Sequence, residues 1–261
     1  MAFTTSLTEI MARITDDFLG IEGQVGGLTT FVRHGKKYAR KATSHQPRRL
    51  TRKQLALREQ LGHNNALWRA LSKTKHVFFE GADTPYNRFM SVNRESPVPY
   101  LLKRQYHGSN ALLLPNMVLS DGPLPPISYQ LDEVNGQPAL FTDLTKQSAR
   151  EGTLLLYVLQ QVVHPWYENE DLFRLDITVE TVTPDQFTPV PSTMLTPYKD
   201  VNGTLALVGE RFADPMMGFG LVRVQDGHAS TQHVVTRCTY YERYTTEEAI
   251  LAAAKSYGGF T

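Results

Sequence analysis

Apolar positions change period along the chain, separating a helix and hairpin beginning, a long alternating middle and a short helical end. Leu7, Ile10, Met11, Ile14 and Phe18 recur at helical spacing behind Ser6 and Glu9, a capping-box pair. The spacing predicts an amphipathic helix over 7–18, closed by Gly20. From Gly23 the pattern alternates, with Leu28, Thr30 and Val32 on one face and Thr29, Phe31 and Arg33 on the other. His34-Gly35 reads as a two-residue turn, and 37–42 returns as a second strand, giving a hairpin with a basic tip. Gly26 and Gly27 precede a β-branched run, not a helix, so they do not form a phosphate-cradling loop. Thr51 and Gln54 form a second capping box ahead of Leu57, Leu61, Trp68 and Leu71, a stripe that predicts a helix over 52–71. A shorter helix over 84–93 follows, with Pro85 at its first position and Tyr86, Phe89 and Met90 for burial.

Pro97 and Pro99 then interrupt regular structure, which sets a boundary between an N-terminal module, 1–96, and a β-rich body, 97–261. In the body, 111–114 is a short apolar run, and Ile127, Tyr129 and Leu131 alternate before Asn135-Gly136 turns the chain into 139–144. The nearly apolar stretch 153–163 suits a strand buried on both faces. Phe173, Leu175, Ile177 and Val179 alternate with Arg174, Asp176, Thr178 and Glu180, as in a half-buried strand. Asn202-Gly203 leads into 205–212, and Asp226-Gly227 joins strands over 219–224 and 231–241. Strands separated by turns, with almost no helix between them, predict an antiparallel sandwich or partly closed barrel. Thr245 and Glu248 cap a last helix over 249–255 that Gly258 stops, expected as a lid over a sheet edge or barrel mouth. The fold class is therefore α+β, mainly β.

Charge sharpens this picture at one place. Arg33, Lys36, Lys37, Arg40, Lys41, Arg48, Arg49, Arg52, Lys53 and Arg58 are ten basic residues in a window without Asp or Glu. The remainder has 17 basic against 26 acidic residues, a formal −9, so a basic segment accompanies an acidic body. Arg52 and Lys53 fall in the first turn of a helix, where the dipole disfavours cations by roughly 0.3–1 kcal/mol each. Acidic groups of the body or an anionic partner would answer them.

Composition excludes more than it assigns. One cysteine, Cys238, rules out an internal disulfide and any cysteine-cluster metal site. No stretch approaches the roughly 18 apolar residues a membrane span needs, and residues 1–20 lack a secretory signal, so the reading is cytoplasmic when synthesised, with the final location open. His228 and His233 are an odd number of residues apart on one strand and do not converge on a metal. His164, before Pro165 and Trp166, reads as a loop histidine, Cys238 as a passive strand residue, and Glu168, Glu170 and Asp171 as a solvated loop without calcium-loop spacing. No metal, cofactor or catalytic residue is nominated, and the chain reads as non-enzymatic, with an unrecognised site in the β body as the remaining enzymatic option.

Three stretches also carry a resemblance. Residues 21–29 (Ile-Glu-Gly-Gln-Val-Gly-Gly-Leu-Thr), 34–41 (His-Gly-Lys-Lys-Tyr-Ala-Arg-Lys) and 46–54 (Gln-Pro-Arg-Arg-Leu-Thr-Arg-Lys-Gln) resemble the opening of an uncharacterised Bacteroidales protein family, a domain of unknown function. Its members share a Gly-x-Val-Gly hairpin, a Gly-Lys-x-Tyr-x-Arg strand and a helix start before a β-rich remainder. The resemblance implies a hairpin and helix followed by sandwich-like material; it implies no activity or cofactor, and by analogy only a phage-like or mobile-element role. The helix ahead of the hairpin and the terminal helix are departures from that pattern. The expectation is a structural or protein-interaction component, binding a protein partner or a second copy; the alternative is nucleic-acid binding. The binding residues expected are Arg33, Lys36, Lys37, Tyr38, Arg40, Lys41, Arg48, Arg49, Arg52 and Lys53.

Overall fold

A computed structural model of the chain describes residues 12–13, 23–25, 28–33, 36–41, 50–81, 83–105, 110–166, 170–191 and 203–259. The chain divides into two compact units at 48/49. In the first, β1 (Ala12–Arg13), β2 (Gly23–Val25), β3 (Leu28–Arg33) and β4 (Lys36–Lys41) form an antiparallel sheet in the order β1-β4-β3-β2. Arg33 pairs with Lys36, as the alternation predicted, while His34 and Gly35, expected to turn the chain, lie outside the described residues. Val25 pairs with Leu28 in the same way across Gly26 and Gly27. The helix expected over 7–18 is corrected at its centre: Ala12 and Arg13 pair with Ala39 and Tyr38, occupying the otherwise open edge of β4. The rest of that stretch lies outside the described residues.

The second unit is a helix layer on a β-sandwich. Its central strand, β8 (Thr153–Trp166), runs antiparallel between β9 (Glu170–Val182) and β12 (Met217–Gln225). Alternation sends Leu154, Leu156 and Val158 to one side of this sheet and Leu155, Tyr157 and Leu159 to the other, all buried. The first set meets a second sheet, in which β7 (Gln137–Thr142) lies between β6 (Tyr129–Val134) and β11 (Leu205–Val208), with β10 (Thr188–Pro189) at the edge of β11. Leu140, Leu205, Leu207, Phe219 and Leu221 fill the space between the sheets. The second set packs under α1 (Arg52–Ser72) and α2 (Pro85–Val92) through Ala66, Leu67, Leu71 and Phe89. At roughly 1.5–3 kcal/mol for each buried Leu or Phe, burial on both faces makes β8 the structural axis of this unit.

α1 and α2 share this core with the sheets, on the same side of the division at 48/49 as the rest of the β body, whereas the sequence placed a boundary at 96/97. The turns follow the residues that favour them. Asn135-Gly136 and Asp226-Gly227 take positive φ at both positions (52° and 76°, 52° and 84°), as tight hairpins require; the second leads into β13 (His228–Ala229). The sheet of β8 can lie close to the chain above it because Gly218 and Gly220 lack side chains: a Cβ on Gly220 would stand 2.2 Å from Leu119 Cδ1.

Other expectations shift. The stretch 111–114 is fully buried but pairs with no strand, and 231–241 breaks into β14 (Gln232–His233) on β5 (Val118–Ser120), β15 (Val235–Thr236) on β12, and a 3-10 turn over Tyr240–Tyr244. His164, Pro165 and Trp166 extend β8 and do not form a loop. The strand expected over 205–212 ends at Val208 and continues as a 3-10 turn, Glu210–Ala213. The last helix, α3 (Glu247–Ser256), is capped by Thr246, not Thr245, and seats Ala253 and Ala254 on Leu55 of α1 instead of closing a sheet edge. The architecture is α+β, mainly β, a sandwich with no closed barrel among the described residues.

α1 holds the irregular chain in place. Its buried face includes Glu59, His63 and Asn64, alongside Leu55, Ala66, Leu67, Ala70 and Leu71. Glu59 accepts from Leu101 N–H at 2.9 Å, His63 Nε2 from Leu112 N–H at 3.0 Å, and Asn64 donates to Asn93 O at 3.2 Å. Gln161 of β8 accepts from Leu113 N–H at 2.7 Å, and Asn93 accepts from Val118 N–H at 2.9 Å while donating to Val118 O at 3.1 Å. Side chains thus supply the backbone partners that a sheet ladder would otherwise provide. Leu57 and Leu61, expected in the core, are 55% and 45% exposed, because the polar anchors occupy the buried face in their place.

Candidate interaction surfaces

Strand register sorts the residues of the first unit onto two faces. Arg33 opposite Lys36, Phe31 opposite Tyr38 and Thr29 opposite Arg40 share one face; β1 adds Arg13 beside Tyr38, and β2 adds Gln24 beside Thr29. The other face takes Val32 with Lys37, Thr30 with Ala39 and Leu28 with Lys41, joined by Ala12, Gly23 and Val25. Among the described residues the first face therefore holds four basic positions (Arg13, Arg33, Lys36 and Arg40), two aromatic ones and no carboxylate. Lys36 is exposed and Tyr38 half-buried. Like charges directly opposite one another, as at Arg33 and Lys36, oppose pairing of the strands.

The remaining predicted residues lie elsewhere. Arg48 and Arg49 are outside the described residues. Arg52 and Lys53 open α1 in the second unit, where the Thr51–Gln54 capping box forms as the spacing predicted. Arg52 is answered from within that unit: its guanidinium grips Glu247 at 3.2 and 2.6 Å, and this bidentate bond raises its pKa further above the usual value. Glu247 itself stands in the first turn of α3, where the dipole favours a carboxylate. Lys53 is exposed and has no ion pair among the described residues.

Polar groups of the β body meet at one further point. Glu80 accepts from His228 Nδ1 at 2.7 Å and from Ala229 N–H at 2.9 Å. Partial burial opposes ionisation of Glu80, but these two partners outweigh it and hold the carboxyl below its usual value. Beside it, Asp121 pairs with Arg88 and accepts from Thr231 Oγ1 at 3.1 Å. The carboxylate orients the imidazole as in an acid–base dyad, yet the His228 side chain has no hydrogen-bond partner among the described residues besides Glu80, and the Thr231 hydroxyl is engaged by Asp121 and the Gly122 backbone. The cluster fastens the β12–β13 hairpin tip to the chain at 80 and 121, which gives it a structural explanation.

Cys238 is buried off any strand, and burial raises its thiol pKa. His233 contacts Asn116 O at 3.3 Å, on another part of the body from His228. Glu170 and Asp171 open β9, and Glu168 lies outside the described residues. Among the described residues, no group of three His, Cys, Asp or Glu side chains is placed to hold a metal, and no helix is long and apolar enough to cross a membrane.

Arg13 is the residue of the basic face that the local pattern concealed. It joins the face through a long-range pairing with Tyr38 for which the sequence around 12–13 carries no signal. Comparisons of the chain with protein-family models, curated proteins and solved structures found no match.

Proposed function

We propose that this chain is a non-enzymatic interaction protein, a component of a phage-like or surface assembly, that docks on an acidic partner through the basic face of its N-terminal sheet. The observation that carries this reading is the register placing Arg13, Arg33, Lys36 and Arg40 on one face, with no carboxylate beside them among the described residues. Opposed charges set the rate and register of such docking more than its affinity. A second reading, single-stranded nucleic acid on the same face, is favoured by the Phe31–Tyr38 cross-strand pair, since aromatic positions between cations offer stacking as well as phosphate contact.

The test is fluorescence anisotropy of the full chain with labelled poly-glutamate and labelled oligo-thymidine over a salt series. Docking on acidic protein predicts saturable binding to poly-glutamate, lost when Arg33, Lys36 and Arg40 are changed to Glu and kept when Lys37 and Lys41 are. Preference for oligo-thymidine, with a log–log salt slope of about −3 for four phosphate contacts, selects the second reading. Failure of both probes at low salt removes both readings.

A further inference from the structure

We propose that the outer face of α1 is a docking ridge for an acidic amphipathic helix of a partner protein. At 3.6 residues per turn, Leu57, Leu61 and Trp68 lie within about 40° of one another around the helix, with Lys53 on one flank and Arg58 and Arg69 on the other. Leu57 and Leu61 are 55% and 45% exposed and stand one turn apart on the same face; the other exposed leucine among the described residues, Leu251, lies on α3. Trp68 packs inward on Phe79 and Phe89, and its outer edge meets Tyr86 edge-to-face at 5.6 Å, so that Trp68 and Tyr86 border the leucines on the core side. The Tyr86 ring, 37% exposed, is itself fixed by a hydrogen bond from its hydroxyl to Asn65 Oδ1 at 2.7 Å. From Leu57 to the Trp68 border the face is about 16 Å long, three turns, the length over which a bound helix places anchors at i, i+4, i+7 and i+11.

Charge identifies the occupant. The single carboxylate of α1, Glu59, is buried, so its solvent face presents only cations and neutral groups. Lys53 and Arg69 have no ion pair among the described residues, and the Arg58 guanidinium is held 4.2 Å over the Tyr257 ring, which fixes the charge without neutralising it. A helix with leucines on one side and glutamates flanking them is the complementary surface. A second copy meeting α1 through the same face would oppose cation to cation. A membrane surface is a poorer fit, because interfacial affinity grows with buried apolar area and two leucines beside a half-buried tryptophan offer little.

The probe is a labelled synthetic helix of roughly 18 residues, five turns, with Leu at every third or fourth position and Glu between, titrated with the full chain. Saturable binding is expected, weakening as salt rises and falling about tenfold for each of Leu57→Gln and Leu61→Gln. Both substitutions are on the solvent face, so unchanged circular dichroism and thermal midpoint accompany the loss. A peptide of the same composition scrambled to remove its apolar face binds at least tenfold more weakly. Absence of saturable binding, or equal binding by the leucine variants or the scrambled peptide, overturns the proposal. It is also overturned if the peptide fails while vesicles of phosphatidylcholine and phosphatidylserine at about 3:1 bind. Self-association of the wild-type chain that the leucine substitutions abolish likewise reassigns the ridge to a second copy.

Discussion

The buried imidazole of His63 should make this protein lose stability as the pH falls below about 6.5. His63 sits at the middle of α1, 1% exposed, with Nε2 3.0 Å from Leu112 N and 3.1 Å from Leu112 O. Burial penalises the charged form and brings the pKa from 6.5 to about 4, although Leu112 O, 3.1 Å from Nε2, offsets part of that penalty. Between those values the unfolded chain binds a proton that the folded chain excludes. Stability from this site is thus complete above pH 6.5 and is lost as pH falls towards 4. The loss is about 2 kcal/mol by pH 5 and approaches about 3 kcal/mol at completion. Other groups titrate in the same range, so the measurement is a difference. Urea unfolding of wild type and His63→Gln, whose amide oxygen can accept from Leu112 N–H, is followed at about pH 7.5, 6 and 5 at constant m-value. Wild type should be the more stable at pH 7.5, with its advantage shrinking by about 2 kcal/mol by pH 5. A gap that stays constant to within about 0.5 kcal/mol would refute the neutral, buried assignment.

Asn93→Ala removes both bonds to Val118 and leaves a buried N–H and C=O unpaired; about 2–4 kcal/mol should be lost in chemical denaturation. Gly220→Ala drives a Cβ into Leu119 and should cost about 1–3 kcal/mol, recovered in part by adding Leu119→Ala. Thr51→Ala opens the capping box of α1 and should lower stability by about 1 kcal/mol, with the α1 N-terminal amides losing hydrogen-exchange protection first.

What could be read along the chain was set by neighbours in sequence. The Thr51–Gln54 capping box, the Asn-Gly and Asp-Gly turns, the pairing of Arg33 with Lys36 and the two-sided burial of β8 all depend on contacts a few residues apart or on the run of apolar residues along the strand. The charge asymmetry was equally plain, and the pairing of β3 with β4 turned its hairpin part into a face. Arg13 joined that face, and Arg52 found Glu247 195 residues away, only through tertiary structure. The same holds for α1. Hydrophobic spacing selected Leu57 and Leu61 for the core because it treats Glu59, His63 and Asn64 as solvent-seeking. The fold buries these three because the backbone at Asn93, Leu101 and Leu112 needs their hydrogen bonds. A side chain's wish for water is a property of the residue, but the unpaired amide that outbids water for it exists only once the distant chain has been brought alongside.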